Sequence, residues 1–129
     1  MLELTPITLR IFKTSWFAKS AKKANIRDVE LCAAIEQVLE GKADDLGGGV
    51  FKKRLNDNMH RSIILAKGKH YWVFEYLFAK KDRDNIDNNE LSAFRDLAKG
   101  YAGLTDEQIA LLVINRQLEE VCNDHKTKI

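Results

Sequence analysis

One proline, two cysteines and no apolar run of membrane-spanning length stand out first among 129 residues. Each scarcity excludes something. A bilayer-crossing helix needs about 20 consecutive apolar residues, and no segment approaches that. Cys32 and Cys122 lie in apolar patterns read as helical, with no CxxC spacing between or around them. Neither a disulfide framework nor a zinc site is therefore signalled, and two buried thiols are expected. The opening MLELTPITLRIFK lacks a long apolar core and a small-residue cleavage site, so the cytoplasm is the expected compartment. Gly47, Gly48 and Gly49 are not followed by GK[ST], which leaves a nucleotide P-loop without support. There is no HExxH motif and no carboxylate pair at a useful spacing, so metalloprotease and glycosidase chemistry are equally unsupported. What remains is ordinary for one folded domain, with 45% hydrophobic and 31% charged residues.

The charge is not evenly spread. Between Lys52 and Arg83 nine basic residues face only Asp57, Glu75 and Asp82, which makes that window +6 and leaves −4 for the remainder of a chain whose net charge is +2. A concentrated basic surface on a stiff scaffold suits a polyanion, and nucleic acid is the candidate at this size.

The periodicities predict an α+β fold: a small, mostly antiparallel sheet of about four strands, a helical hairpin on one face and helices at the C-terminus. TLRIFK alternates as a first strand. A helix capped by Ser15 follows, with Trp16, Phe17 and Ala21 as its apolar stripe. A second starts near Asp28 and stops at Gly41. VFKKRL, HRSIILAK and HYWVFEYLFAK read as three strands, the last two a hairpin turning at Gly68. The last strand is apolar on both faces, with Trp72, Phe74, Tyr76 and Phe78 assigned to one, and so belongs in the middle of the sheet. A third helix is capped near Asp87 or Asn88 and ends at Gly100 or Gly103. A fourth, with a Thr105–Gln108 capping box, is expected to run from Thr105 to Val121 before a frayed tail, so that residues 104–129 form a helical extension.

Strand alternation puts Lys52 and Arg54 on one face and Lys53 on the other. Arg61 opens the next strand and Lys80 closes the last, so a hairpin turning near Gly68 makes them neighbours. Lys52, Arg54, Arg61 and Lys80 can then converge, either as a solvated rim or as a site that holds an anion among mutually repelling cations. His60 at the loop mouth is either idle or a proton donor near neutral pH. Lys53, Lys81 and Arg83 extend the basic surface as candidate RNA contacts.

Several blocks together, FKTSWFAKSAKKANI, ADDLGGGVFKKRL, FEYLFAKKDRDNI, NELSAFRDLAKGY and LTDEQIALL, resemble the RelE/ParE toxin superfamily, most closely its phage-associated RelE branch, akin to HigB/HigA systems. Related chains carry a longer, glycine-rich basic loop before the arginine that Arg61 matches; here the loop is NDNMHR. The resemblance implies a type II toxin: a metal-independent endoribonuclease that cuts mRNA on the ribosome, needs no cofactor and is neutralised by an antitoxin, often of helix-turn-helix type. On that basis Lys52 or Arg54 clamps phosphate, Arg61 stabilises transition-state charge, Lys80 serves as base or charge stabiliser, and His60 is a candidate acid. Two alternatives stay open: a ParE-like gyrase poison without nuclease activity, and an RNA-binding regulatory module whose catalysis has decayed.

Overall fold

The computed structural model describes residues 9–68 and 70–122. Its elements run β1 (Arg10–Thr14), α1 (Ser15–Lys23), α2 (Asp28–Leu39), β2 (Asp44–Asp45), β3 (Val50–Leu55), β4 (His60–Lys67), β5 (Tyr71–Ala79), α3 (Asn88–Ala102), α4 (Asp106–Ile114) and β6 (Leu118–Val121). The six strands form one sheet in the order β2-β3-β4-β5-β1-β6. The class is α+β as expected, but the sheet is larger than four strands and mixed, because β1 pairs parallel with β5. The central place of β5 follows from its two apolar faces. α1 and α2 close one face around Phe17, Leu31, Ile35, Ile64, Trp72 and Phe74. α3 and α4 close part of the other around Val50, Ile63, Leu65, Val73, Ala98 and Ile109.

Three local readings are corrected. The cap of α1 is Thr14, whose Oγ1 accepts from the Phe17 amide at 3.0 Å, one residue before Ser15. Phe17 and Ala21 are buried, whereas Trp16 is 50% exposed and lies outside the stripe. In β5, Ile63 pairs with Tyr76 and Ile64 with Phe74, so Glu75 is an extra residue, a β-bulge. The bulge breaks the alternation: Trp72 and Phe74 pack toward α1 and α2, Tyr76 and Phe78 toward α3.

The C-terminus differs most. α4 has its expected Thr105–Gln108 capping box but ends at Ile114, not Val121. Arg116 takes φ +64°, its amide donates to the Val113 carbonyl and the Gln117 amide to the Leu112 carbonyl. That double closure is a Schellman turn formed without glycine. The chain then enters β6 beside β1, where the Arg10 guanidinium donates to both Glu120 carboxylate oxygens at 2.8 and 2.7 Å. Cys122 follows β6 rather than lying in a helix, and it forms a disulfide with Cys32 of α2. The expectation of two free thiols is overturned: spacing in the sequence cannot show that the chain end returns to α2. The predicted frayed tail lies outside the described residues.

The bulge residue Glu75 supplies a stability test. Burial raises its carboxyl pKa, partly opposed by the Tyr101 hydroxyl, which donates to it at 3.5 Å, and burial likewise raises the Tyr101 pKa. A raised acid pKa means that the folded state binds the proton more tightly. Stability therefore falls as pH rises from the unfolded value near 4 through the folded one, and the carboxylate is a net cost at pH 7. Glu75→Gln keeps the shape and an acceptor for Tyr101. Its Tm should exceed wild type by a few degrees at pH 7 and match it below about pH 4, where both states are protonated. A thermal-melt series against pH checks this.

Candidate nucleic-acid interface

β3 runs Val50, Phe51, Lys52, Lys53, Arg54, Leu55. Val50 packs under α3 while Phe51 and Leu55 pack with the α1–α2 layer. Alternation thus puts Lys52 and Arg54 on the α3 face and Lys53 on the other. On β4, Ile63 belongs to the α3 face, which brings Arg61 to the same side. Arg54 and Arg61 are directly opposed partners in the sheet. Among the described residues neither has a carboxylate partner. The Arg61 Nη1 instead donates to the backbone carbonyls of Asn58 at 3.0 Å and His60 at 3.3 Å. Lys52 is tethered more firmly, to Asn85 Oδ1 at 3.2 Å and Asp44 at 3.7 Å.

The short loop NDNMHR sets that Arg61 geometry. Asn56, Asp57 and Asn58 take φ of +56°, +53° and +72° in succession. Such left-handed backbone is normally left to glycine, with Asn and Asp the tolerated substitutes, so three residues here do the turning that glycines would do. The turn closes through the Met59 amide on the Asn56 carbonyl at 3.0 Å and presents the Asn58 carbonyl to Arg61.

His60 and Arg61 point to opposite faces. The His60 Nδ1 lies 3.2 Å from Asn56 Nδ2, which also reaches the Ala24 carbonyl at 3.4 Å. An amide nitrogen only donates, so Nδ1 is the acceptor in this contact. The ring lines an open groove of about 940 Å³ between α1 and the mouth of the β4–β5 hairpin, shared with Ser20, Lys23, Lys80, Lys81 and Asp82. The Lys80 amide donates to the Met59 carbonyl at 2.9 Å, and Arg61 pairs with Phe78. Lys80 is therefore a diagonal neighbour of Arg61 in the register, yet it borders the His60 groove. Lys52, Arg54 and Arg61 form a row on one face, and Lys80, Lys81 and His60 form a second group around the sheet end.

Lys53 lies under α2, where burial and then the Arg54 and Lys42 charges lower its pKa, against a raising contribution from Glu30. Arg83 lies on the α3 face. It is paired with Glu90, donates to the Tyr76 hydroxyl at 3.4 Å and the Asn85 carbonyl at 3.0 Å, and covers the Phe78 ring at 5.5 Å. The Glu90 hydrogen bonds push the guanidinium pKa further up and hold the Glu90 carboxyl below its usual range. Glu90 also closes the capping box of α3 on Asp87. Arg83 thus fastens the β5 end to α3. Gly47, Gly48 and Gly49 are not a phosphate cradle: Arg95 of α3 donates to the Leu46 and Gly47 carbonyls, and a Cβ on Gly48 would stand 2.9 Å from the Arg95 side chain.

One family model, that of the RelE toxin of the RelE/RelB toxin–antitoxin system, matches residues 9–121. The chain belongs to the RelE toxin family. Neither the curated proteins nor the solved structures offer a match. RelE membership makes this protein a toxin of the toxin–antitoxin kind and implies an antitoxin as its partner. No helix among the described residues is long and apolar enough to cross a membrane.

Proposed function

We propose that this RelE-family toxin is an mRNA endonuclease that acts on the ribosome and arrests translation. The observation that carries the proposal is the directly opposed Arg54–Arg61 pair, with Lys52 beside it and, among the described residues, no carboxylate on either guanidinium. Like charges opposite one another in a sheet oppose folding. Such a pair is retained at a cost unless an anion occupies it, and a phosphodiester is the anion that two guanidinium forks fit.

The reaction attacks the scissile phosphorus with the neighbouring ribose 2′-oxygen. The 2′-proton leaves, charge builds on the phosphoryl oxygens, and the departing 5′-oxygen receives a proton. The products are a 2′,3′-cyclic phosphate and a 5′-hydroxyl. DNA lacks the required hydroxyl. Arg61, Arg54 and Lys52 hold the phosphate and stabilise the developing charge. Proton transfer falls to the second group at the sheet end, with Lys80 as base and His60, in its imidazolium form, as acid, reached by RNA that bends around the Asn58–Met59 turn. Lys81 binds the flanking backbone. Lys53, on the other face, is a more distant phosphate contact, and Arg83 serves chiefly to position the aromatic floor.

Cations alone do not align the 2′-oxygen with the leaving oxygen. That alignment is worth several kcal/mol when a rigid frame supplies it, and mRNA held in the decoding centre provides the frame. Purified protein should cut mRNA on translating ribosomes in EDTA-controlled cleavage steps and cut free RNA weakly. Mapping mRNA 5′ ends after induced expression tests this in cells, with ends clustered inside reading frames expected. Growth arrest with intact mRNA and DNA damage in its place would support gyrase poisoning. An antitoxin, of helix-turn-helix type by likeness, would neutralise the cytoplasmic toxin by covering the cationic row with acidic or amphipathic segments. Co-expression with the adjacent gene, followed by pull-down and growth rescue, tests that partnership.

A further inference from the structure

We propose that Trp16, seated on Tyr76, is a stacking site for one base of single-stranded RNA, placed alongside the Arg61–Arg54 phosphate site. The proposal rests on the reading that this face takes RNA, and it names what recognises the base.

Trp16 is the second residue of α1, fixed by the Thr14 cap immediately before it. Its indole stacks on the Tyr76 ring with centroids 5.1 Å apart and planes 20° from parallel. Half of Trp16 nevertheless stays open to solvent. Tyr76 is immobilised from other sides: Phe78 lies at 5.9 Å, Phe94 of α3 at 5.8 Å, and Arg83 Nη1 at 3.4 Å from its hydroxyl. The bulge at Glu75 is what turns Tyr76 to this face. A large flat ring is thereby held rigid with part of its surface uncovered.

Its position gives that surface a purpose. Phe78, two residues from Tyr76, is the cross-strand partner of Arg61, and Arg61 is the partner of Arg54. Trp16 thus abuts Tyr76, Phe78 stands two residues further along β5, and Arg61 and Arg54 follow on the next two strands at about 4.8 Å per strand. Aromatic surface stands at one end and cations at the other. A nucleotide has the matching polarity, a flat base joined to a charged phosphate. Stacking on an aromatic beside a cationic track is how single strands are held without base-edge readout. An apolar anchor of a protein partner would also fit an exposed indole, but the guanidiniums alongside favour a ligand that carries its own negative charge.

The chain has two tryptophans, and Trp72 is 4% exposed beneath Phe51. A change in indole emission on binding therefore reports Trp16. The experiment titrates the full-length protein with a 2′-O-methyl tetraribonucleotide, which cannot be cut, and with the same oligomer carrying abasic positions. Quenching is expected with the first and not the second, while both bind in a salt-dependent way. Trp16→Ala should weaken binding of the base-bearing oligomer about tenfold or more, and Trp16→Phe should recover most of that loss. Circular dichroism establishes that each variant is folded, and the wild-type emission comparison of base-bearing with abasic oligomer carries the test should Trp16→Ala fail to fold. Unchanged emission on binding, equal affinity of wild type and Trp16→Ala, or no oligomer binding overturns the proposal. So does a Trp16→Ala variant that binds RNA normally but loses the antitoxin, which would give the surface to the protein partner. In each of those cases the 5′-end mapping still decides the nuclease reading separately.

Discussion

Replacing Arg61 with alanine is expected to slow mRNA cleavage about a hundredfold or more and to abolish growth arrest on induction, because it removes a donor aimed at charge that exists only in the transition state. Arg54→Ala should weaken phosphate holding from the opposite strand, and Lys80→Ala should cost a comparable factor through proton transfer. Arg61→Lys should fall between wild type and Arg61→Ala, since an ammonium keeps the charge but not the two-pronged fork. The geometry supplies an internal control. Among the described residues Arg61 makes no ion pair; it donates to two nearby carbonyls and faces the like charge of Arg54. Its removal should leave Tm unchanged or slightly higher, by up to about 1 kcal/mol of relieved repulsion. Loss of toxicity with an undiminished melting point separates chemistry from misfolding. Full toxicity in both Arg61→Ala and Lys80→Ala would mean that the site lies elsewhere.

Much of this arrangement could be read from residue patterns because it rests on local rules. The Asp87 and Thr105 caps, the all-apolar β5 and the shared face of Lys52, Arg54 and Arg61 each follow from a short stretch of chain. What escaped depends on contacts between distant segments. The two-residue β2 is too short to show a period, and β6 exists because β1 has an open edge and Arg10 awaits Glu120. The helical continuation through Val121 failed at Arg116, which adopts a conformation that a non-glycine residue does not advertise. One inserted residue, Glu75, moved Tyr76 and Phe78 to the face opposite Trp72 and Phe74, and no alternation count detects an insertion. The placement of Lys80 relative to the row on β3 and β4 is likewise a tertiary matter. Strand ends twist and turn, so Lys80 borders the His60 groove while Arg61 looks the other way.

Breaking the Cys32–Cys122 bridge is expected to lower stability by about 2–4 kcal/mol and Tm by roughly ten degrees or more. The bridge joins residues 90 apart in sequence, so it constrains most of the described chain when unfolded. It also ties the end of β6 to α2, on the far side of the sheet edge from the Arg10–Glu120 pair. Without it β6 is held by its pairing with β1, that ion pair and the burial of Leu118 and Val121. Cys32→Ser with Cys122→Ser should melt at the temperature of reduced wild type and should not respond to reductant, whereas oxidised wild type should melt well above both. Alkylation followed by mass measurement counts the free thiols directly: none in the oxidised protein, two after reduction. Equal melting of wild type with and without reductant, together with two alkylated thiols at the outset, would mean that the pair does not close in solution. In a reducing compartment the pair is expected to open. The toxin would then work with a less firmly fastened β6, while the cationic row on β3 and β4, on the face opposite α2, keeps its geometry. Cleavage on ribosomes should accordingly proceed at similar rates in oxidised and reduced protein at 25 °C and diverge only as the temperature nears the reduced protein's melting point.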